Sequence, residues 1–232
     1  MPEVPKVPGV RGVSAVRLVF DLDGTLIDSV GDLATSANEL VTTLGGRELL
    51  QQEVADMVGD GAAVLVRRAL SAAGLDANMP HALDRFLQIY DDHLLDTTTA
   101  YPGIEDALLM ASRRTRMAVL TNKPLRPSMR ILDALGLSRY FDAVIGGDSL
   151  HGRKPDPAGL RALSDGASAV ILVGDSPVDA ETADAAGCAF AWARYGFSAA
   201  RFAATPDTPY VLNHPSDLSE VLDRFAAVNS GA

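Results

Sequence analysis

The sequence contains two pairs of aspartates that each follow a short apolar run. Asp21 and Asp23 come directly after Leu18–Phe20 in the segment RLVFDLDGTLID, and Asp175 and Asp179 lie in GDSPVD after another apolar run. Two carboxylates so close in the chain repel each other, and neither one helps to end a strand. A chemical role would explain both pairs.

Further polar residues follow other apolar runs: Thr121 and Asn122 after one run, and Lys154 after another. The carboxyl ends of parallel strands lie along one edge of a sheet, so there the four carboxylates, the hydroxyl and the ammonium would meet. A single aspartate after a strand is usually the N-cap of the next helix. That interpretation accounts for one aspartate per helix, but it does not explain two acidic pairs with a lysine between them. The pattern therefore predicts a polar site at the sheet edge.

The predicted site has the composition of a magnesium centre. Clustered carboxylates without matching arginines indicate a hard cation, and the absence of Cys/His clustering favours Mg²⁺ over zinc. Because Mg²⁺ takes one or two carboxylates and fills its other positions with water and phosphate oxygens, one aspartate stays free to attack phosphorus. The attack gives an aspartyl-phosphate and divides one difficult displacement into two easier ones. The phosphoryl oxygens would be bound by Thr121, Lys154 and backbone N–H groups of the Gly24 turn.

Five apolar runs predict the strands that position these residues. They are short, nearly continuous and separated by helical patterns, as is typical of strands buried on both faces of a parallel sheet. The expected fold class is α/β, a Rossmann-like doubly wound parallel sheet. The predicted strands are Val16–Phe20, Met117–Leu120, Ala143–Ile145, Val170–Val173 and Ala189–Trp192.

One long interval, between Asp28 and about Thr99, contains only helical patterns. It is too long for a loop, so residues 30–97 are expected to form a small α-helical cap domain inserted in the core. The catalytic core would then comprise residues 15–29 and 98–228. The proline-rich residues 1–14 are expected to form a flexible N-terminal tail.

The composition sets limits on partners and location. The 232 residues are 47% hydrophobic and 22% charged, as in an ordinary globular protein. A formal charge of −10 without a basic run argues against a nucleic-acid partner, and no apolar run is long enough to span a bilayer. The single cysteine, Cys188, excludes a disulfide framework and favours a reducing compartment. We therefore expect a cytoplasmic monomer or homodimer without a membrane partner.

Taken together, these motifs resemble the four motifs of the haloacid dehalogenase superfamily. DLDGT, the strand-terminal Thr121, Lys154-Pro155 and GDSPVD occur in the order and spacing of that superfamily over almost the whole chain. The resemblance implies a Rossmann-like core with a helical cap inserted after the first motif. Within the superfamily the chain most resembles bacterial phosphoglycolate phosphatases, through VGDGAAVLVRRAL, YPG and GDSPVDAETADAAG.

The resemblance implies a role for each matching residue. Asp21 would be the nucleophile, and Asp23 would be the general acid/base that protonates the leaving oxygen and then activates water. Mg²⁺ would be held by the carboxylates of Asp21 and Asp175 and by the backbone carbonyl of Asp23, with Asp179 acting partly through water. The implied phosphate-binding residues are Thr121, Asn122, Lys154 and Gly24.

Asp23 also favours phosphate-ester chemistry among the reactions of this superfamily. Dehalogenases lack an acid at this position because they have no alkoxide to protonate, and phosphonatases carry a small residue there. The expected activity is Mg²⁺-dependent hydrolysis of a small phosphorylated metabolite, with 2-phosphoglycolate as the leading substrate. A pyrophosphatase, a nucleotidase and a sugar phosphatase or phosphomutase stay open as alternatives. A phospho-acceptor signalling domain also combines such residues with Mg²⁺, but it is shorter and needs neither the insertion nor a second aspartate.

Substrate selection is expected to come from the inserted helices. A substrate with a carboxylate beside its phosphate needs a cation for recognition, and an arginine guanidinium suits that task. Adjacent arginines such as Arg67 and Arg68 on a helix are usually surface charges, but Arg68 is the preferred candidate for substrate specificity. Their helix would begin at the Gly59-Asp60-Gly61 turn, and the N–H groups at Gly61 could also bind an anion.

Overall fold

The computed structural model describes residues 16–164, 166–198 and 210–229. The predicted tail, residues 1–14, lies outside the described residues. In chain order the strands are β1 (Val16–Phe20), β2 (Ile27–Asp28), β3 (Thr99–Ala100), β4 (Arg116–Leu120), β5 (Ala143–Ile145), β6 (Ala169–Gly174), β7 (Ala189–Ala193) and β8 (Tyr210–Leu212). The helices are α1 (Val30–Thr43), α2 (Gln51–Ala55), α3 (Ala62–Ala72), α4 (Ala82–His93), α5 (Ile104–Ser112), α6 (Leu125–Ala134), α7 (Ala158–Leu163), α8 (Pro177–Ala186) and α9 (Leu218–Asn229).

Six strands form a parallel sheet in the order β5-β4-β1-β6-β7-β8. The chain moves outward from β1 through β4 to β5, and then returns to the other side of β1 to build β6, β7 and β8. The strand order thus reverses around β1, and a crevice forms beyond the carboxyl ends of the strands at such a reversal. The doubly wound α/β fold and the five predicted strands are confirmed. The short strands β2, β3 and β8 were not predicted.

Burial on both faces explains why the central strands are visible in the sequence. In β1, Leu18 and Phe20 pack into one hydrophobic cluster, whereas Val19 packs into a second cluster on the opposite face of the sheet. Helices cover both faces, so Leu18–Phe20 form a continuous apolar run, which Asp21 follows. Arg17, earlier in the strand, is buried as well and is ion-paired.

Helices α1 to α4 lie between β2 and β3, in the segment predicted to form the cap. Helix α1 packs against α2, α3 and α4, and buried residues such as Leu40, Leu70 and Phe86 contribute to the larger hydrophobic cluster. The treatment of residues 30–97 as a separate cap domain stays a prediction. None of the helices in the described part of the chain combines the length and the apolar character that a membrane crossing requires.

The two segments that connect these helices to the core are held together by Asp32. Strands β2 and β3 pair in antiparallel fashion, and Asp32 lies in the first turn of α1. Its carboxylate accepts hydrogen bonds from the backbone N–H groups of Thr97 and Thr98 at 2.8 and 2.9 Å, and from their hydroxyls at 2.5 and 2.6 Å. One buried carboxylate therefore joins the segment that enters the inserted helices to the segment that leaves them.

We expect Asp32→Asn to destabilise the protein by about 2 kcal/mol at neutral pH, because a neutral amide cannot accept the four hydrogen bonds that Thr97 and Thr98 donate. Burial raises the pKa of Asp32, but the bonds from Thr97 and Thr98 outweigh this effect and hold the pKa below its usual value. The stabilisation is then complete above the unfolded-state pKa of about 3.9 and is lost as the pH falls through the lower folded-state pKa. Urea unfolding of both proteins from pH 7 to pH 3 measures this difference.

The exposed Asp133 provides the control. Its replacement by Asn should change the unfolding free energy by no more than about 0.5 kcal/mol. A destabilisation by Asp32→Asn that stayed constant down to pH 3 would contradict the assigned role of the carboxylate.

Candidate active site

Three neighbouring strands deliver the predicted polar residues to one edge of the sheet. Asp21 follows β1, Thr121 follows β4 and Asp175 follows β6. The backbone N–H of Asp21 donates to the carbonyl of Val173 at 2.9 Å, and that of Thr121 donates to the carbonyl of Ile145 at 3.0 Å. The parallel hydrogen bonding thus continues through the residue that follows β1 and the residue that follows β4, which fixes the backbone there.

Asp21, Asp175 and Asp179 form a buried acidic cluster, in which one carboxylate oxygen of each residue lies within 4.8 Å of the other two. The Lys154 ammonium lies 2.8 Å from Asp21 Oδ1 and 2.6 Å from Asp179 Oδ1. The other oxygen of Asp179 accepts hydrogen bonds from the Ser176 N–H and hydroxyl at 3.1 and 2.6 Å. Asp179 therefore helps to cap helix α8 and also belongs to the acidic cluster. The two interpretations of an aspartate after a strand, helix capping and a place in the polar site, both apply to this residue.

The surroundings of this cluster disfavour the ionised form of its carboxyl groups. Burial, with a contribution from the nearby carboxylates of Asp179 and Asp23, raises the pKa of Asp21 to about 7 against the opposing effect of Lys154. Burial also raises the pKa of Asp175 well above its usual value, with Asp179 and Asp21 contributing. A positive charge bound among these oxygens would favour their ionised forms.

The charges and the backbone of the site fit a divalent cation. Four carboxylates face two ammonium groups, which leaves a formal excess of two negative charges. A side chain at Gly24, where φ is +85°, would place its Cβ 2.2 Å from Asp175 Oδ2, so only glycine permits this close approach. All-oxygen donors of this kind are typical ligands of Mg²⁺. The charged side chains are Asp21, Asp23, Asp175, Asp179, Lys123 and Lys154.

Asp23 lies outside the acidic cluster and has its own partners. Its Oδ1 accepts a hydrogen bond from the Ser29 hydroxyl at 2.5 Å, and the Lys123 ammonium lies 2.9 and 3.2 Å from its two oxygens. Asp21 and Asp23 therefore have different surroundings, with Lys154 next to the first and Lys123 next to the second. Different surroundings allow one carboxylate to act as nucleophile and the other as acid or base.

A cavity between the sheet edge and the inserted helices is lined by several of these polar residues. It encloses about 40 Å³, and its walls come from both parts of the chain. The core contributes Asp21, Asp23, Thr121, Asn122, Lys123 and Pro124. The inserted segment contributes Leu33, Val58, Gly59, Gly61, Ala62, Leu65, Phe86, Leu87 and Tyr90.

Asn122 joins the two walls of the cavity. Its Nδ2 donates to the carbonyl of Gly59 in the inserted segment at 2.9 Å and to the carbonyl of Lys154 in the core at 3.0 Å. A Cβ added at Gly61 would lie 3.2 Å from the Asn122 carbonyl oxygen, so the two segments are in close contact. Gly61 lines the cavity, and its part in receiving an anion stays a prediction. The side chain of Asn122 positions the loops, and its part in phosphate binding stays a prediction.

Arg68 does not line the cavity, in contrast to the expectation from the sequence. Its guanidinium lies 2.5 Å from Asp60 Oδ2 and donates to the carbonyl of Met57 at 3.1 Å, and 43% of its side chain is exposed. Arg68 occupies the predicted helix, but these neighbours hold its charge at the surface. The cation that lines the cavity is Lys123, which the sequence analysis did not assign. The signal available in the sequence was its position two residues after Thr121.

The comparisons with known proteins agree with this geometry. The sequence profile of the haloacid dehalogenase-like hydrolases matches residues 18–193. The chain is 39% identical over 218 residues to a phosphoglycolate phosphatase of Cereibacter sphaeroides, a match that covers 90% of this chain and 99% of that protein. It is 42% identical over 198 residues to a phosphoglycolate phosphatase of Pseudomonas fluorescens, covering 80% of this chain and 72% of that protein.

A solved structure shows the same likeness at the level of the fold. The crystal structure of a predicted phosphoglycolate phosphatase from Haemophilus somnus 129PT superposes with a TM-score of 0.80 at 27% identity, covering 92% of this chain and all of that one. The profile spans most of the chain and includes Asp21, Thr121, Lys154 and Asp175. The chain therefore belongs to the haloacid dehalogenase-like hydrolase family.

Proposed function

We propose that the protein is a Mg²⁺-dependent phosphatase that hydrolyses 2-phosphoglycolate through an aspartyl-phosphate on Asp21. The observation that carries the proposal is the position of Asp21: it ends the central strand, contacts Lys154, belongs to the buried acidic cluster and lines the cavity. A carboxylate in such a place costs stability, and strongly perturbed groups of this kind mark functional sites. The family and the relatives support the same reaction class.

The first chemical step is the attack of an Asp21 oxygen on phosphorus, with cleavage of the bond to the ester oxygen. Asp23 gives its proton to that leaving oxygen, which departs as an alcohol. Lys154 and Thr121 stabilise the negative charge on the phosphoryl oxygens, Lys154 with its positive charge and Thr121 with its hydroxyl group. Mg²⁺, held by Asp21, Asp175 and Asp179, would add positive charge at the same oxygens.

The second step returns the enzyme to its starting state. Asp23 takes a proton from a water molecule, the water oxygen bonds to phosphorus, and the bond from phosphorus to Asp21 breaks. Inorganic phosphate leaves and the Asp21 carboxylate is regenerated. The Ser29 hydroxyl and the Lys123 ammonium contact the Asp23 side chain and would orient it for both proton transfers.

The relatives support a small substrate. The walls of the cavity come from the core and from the inserted segment, so the inserted helices border the space beside the phosphoryl group. The relatives named above are phosphoglycolate phosphatases, and 2-phosphoglycolate carries only a methylene and a carboxylate beyond its ester oxygen. We therefore place 2-phosphoglycolate before pyrophosphate, nucleotides and sugar phosphates.

A panel of phosphorylated compounds assayed for phosphate release with Mg²⁺ tests this order. We expect kcat/KM for 2-phosphoglycolate to exceed that for pyrophosphate, a nucleoside monophosphate, glucose 6-phosphate and p-nitrophenyl phosphate by at least about 10-fold, because a site with a matching polar group discriminates against substrates without it. A higher kcat/KM for a nucleotide or a sugar phosphate would contradict the substrate assignment while leaving the reaction class in place.

We further propose a cytoplasmic location and a monomeric or homodimeric state. Cys188 is the one cysteine of the chain, so no intrachain disulfide can stabilise this fold. That property suits a reducing compartment. The expected partner is a small phosphorylated metabolite, with no nucleic acid and no membrane.

A further inference from the structure

The position of Lys123 needs an explanation beyond the two chemical steps. Within the described ranges, Lys123 is the one cationic side chain among the residues that line the cavity. The residue is only 7% exposed, and its Nζ lies 4.6 Å from the ring centroid of Tyr90. Burial of an ammonium is costly unless the charge is paired. Asp23 supplies one partner from the core, and the Tyr90 ring supplies a second from helix α4.

The ammonium has bonding capacity left for a ligand. It carries three N–H donors, whereas its charged partner, the Asp23 carboxylate, provides two oxygens, at 2.9 and 3.2 Å. The aromatic face attracts the charge but does not replace a full acceptor. An acceptor brought into the cavity could therefore bind Lys123 without displacing Asp23.

Tyr90 provides an independent sign of a missing ligand. The residue is 3% exposed and lines the cavity. Its hydroxyl interacts with the Lys123 ammonium but makes no hydrogen bond of normal geometry with a described residue. Buried hydroxyls without such a bond are rare in folded proteins, because the lost hydration is not replaced. Much of the surrounding wall is apolar, with Leu33, Leu65 and Phe86 among its residues. A small apolar cavity with a few polar groups at one place is typical of a ligand site.

Lys123 lies close to the expected phosphoryl subsite. It is two residues from Thr121, and its backbone N–H donates to the Thr121 hydroxyl at 3.2 Å. Both residues line the same cavity, so one ligand there could contact both. Donors of this kind, an ammonium and a hydroxyl, select an anionic acceptor.

We propose that Lys123 and the Tyr90 hydroxyl form the subsite that binds the carboxylate of the substrate, next to the phosphoryl subsite at Asp21 and Thr121. This assignment rests on the proposed phosphatase function and gives it a specificity determinant. It replaces Arg68, whose charge is paired with Asp60 at the surface. Because Tyr90 belongs to α4 and Lys123 to the core, the carboxylate is recognised only where the inserted helices meet the sheet edge.

A pair of matched substrates tests the assignment: 2-phosphoglycolate and its neutral amide, phosphoglycolamide, which differs in the tail group alone. Lys123 also contacts Asp23, so Lys123→Met should slow the chemical steps for both substrates. The ratio of the two kcat/KM values cancels that shared loss and isolates recognition of the carboxylate. We expect Lys123→Met to lower the ratio by about 10- to 100-fold, the range for loss of a charged hydrogen bond.

Two conservative variants extend the test. Lys123→Arg keeps the charge, so it should lower the ratio of the two kcat/KM values less than Lys123→Met does. Tyr90→Phe removes one oxygen atom, which makes no hydrogen bond of normal geometry with a described residue, so the fold should persist. We expect the ratio to fall by about 3- to 10-fold. Tyr90→Phe therefore decides the question even if Lys123→Met fails to fold.

The outcomes separate the two proposals. A wild-type enzyme that does not prefer 2-phosphoglycolate over the amide overturns the substrate assignment and the carboxylate subsite with it. A wild-type preference that survives unchanged in Lys123→Met and Tyr90→Phe overturns the subsite alone and leaves the proposed function standing. The subsite is overturned in the same way if Arg68→Ala lowers the ratio and the Lys123 and Tyr90 variants do not.

Discussion

Asp21→Asn should abolish phosphate release, with a loss of at least about 10⁴-fold in kcat. An amide is a poor nucleophile, and the substitution also removes the charge of one carboxylate from the acidic cluster. Uncatalysed hydrolysis of phosphate monoesters is among the slowest reactions known, with enzymatic enhancements of up to about 10²¹, so little background activity can remain. Loss of a nucleophile commonly costs several orders of magnitude in kcat.

The same substitution should leave the fold intact and raise its stability in the absence of metal. Burial and the neighbouring carboxylates of Asp179 and Asp23 make the Asp21 charge unfavourable, and Asn has nearly the same shape. Lys154 keeps Asp179 as a partner at 2.6 Å. Thermal unfolding with EDTA present measures this effect, and Asp92→Asn on α4 is the matched control, with neither activity nor stability expected to change.

A covalent intermediate gives a direct readout of the nucleophile. Acid quenching of the wild-type enzyme during turnover of ³²P-labelled substrate should leave the label on the peptide that contains Asp21. The Asp21→Asn protein should carry no label. Near-normal activity in this variant, or label on a different residue, would exclude the proposed mechanism.

Removal of divalent metal should silence the enzyme to the level of the assay background, and Mg²⁺ should restore it. The site carries an excess of two formal negative charges, which Lys154 and Lys123 do not balance. Ca²⁺ should not restore activity, because it accepts more ligands in a looser geometry than Mg²⁺ and would engage the Asp21 oxygen that must attack phosphorus. Phosphate release after EDTA treatment, with each ion added back, measures both effects.

Binding can be measured without turnover. A metal that binds the folded protein alone stabilises it by about 2.7 kcal/mol at a concentration 100 times its Kd. Mg²⁺ should therefore raise the unfolding temperature of the wild-type protein, and Asp175→Asn should need a higher Mg²⁺ concentration for the same shift. Full activity in EDTA, or full activity with Ca²⁺, would be incompatible with the proposed role of the metal.

The sequence alone determined the fold class and the residues of the central polar site. Strands buried on both faces are mostly apolar, so β1, β4, β5, β6 and β7 appear as largely continuous apolar runs, with Arg17 and Arg116 as the charged exceptions. Residues directly after such runs lie at the carboxyl edge of a parallel sheet whatever the details of packing. The chain pattern by itself therefore brings Asp21, Thr121 and Asp175 together. Strands β2 and β3 could not be predicted, because two residues are too few to form a pattern.

Only the tertiary structure decided which cation faces the cavity. On sequence grounds Arg68 was the better candidate, because a helix in the inserted segment was expected to close over the substrate. The Arg68 side chain instead binds Asp60 and the Met57 carbonyl. Helical spacing in the sequence does not reveal that these local partners bind the guanidinium in place of a substrate. Lys123 faces the cavity because Asp23 and Tyr90 hold its ammonium there.

Those partners of Lys123 lie 100 and 33 positions away along the chain. Their meeting depends on how helix α4 packs over the ends of β1 and β4. The meeting of the strand-end residues could be predicted because short-range chain geometry fixes it. The contacts of the proposed carboxylate subsite could not be predicted, because they form where two distant segments meet and depend on partners that only the folded structure brings within reach.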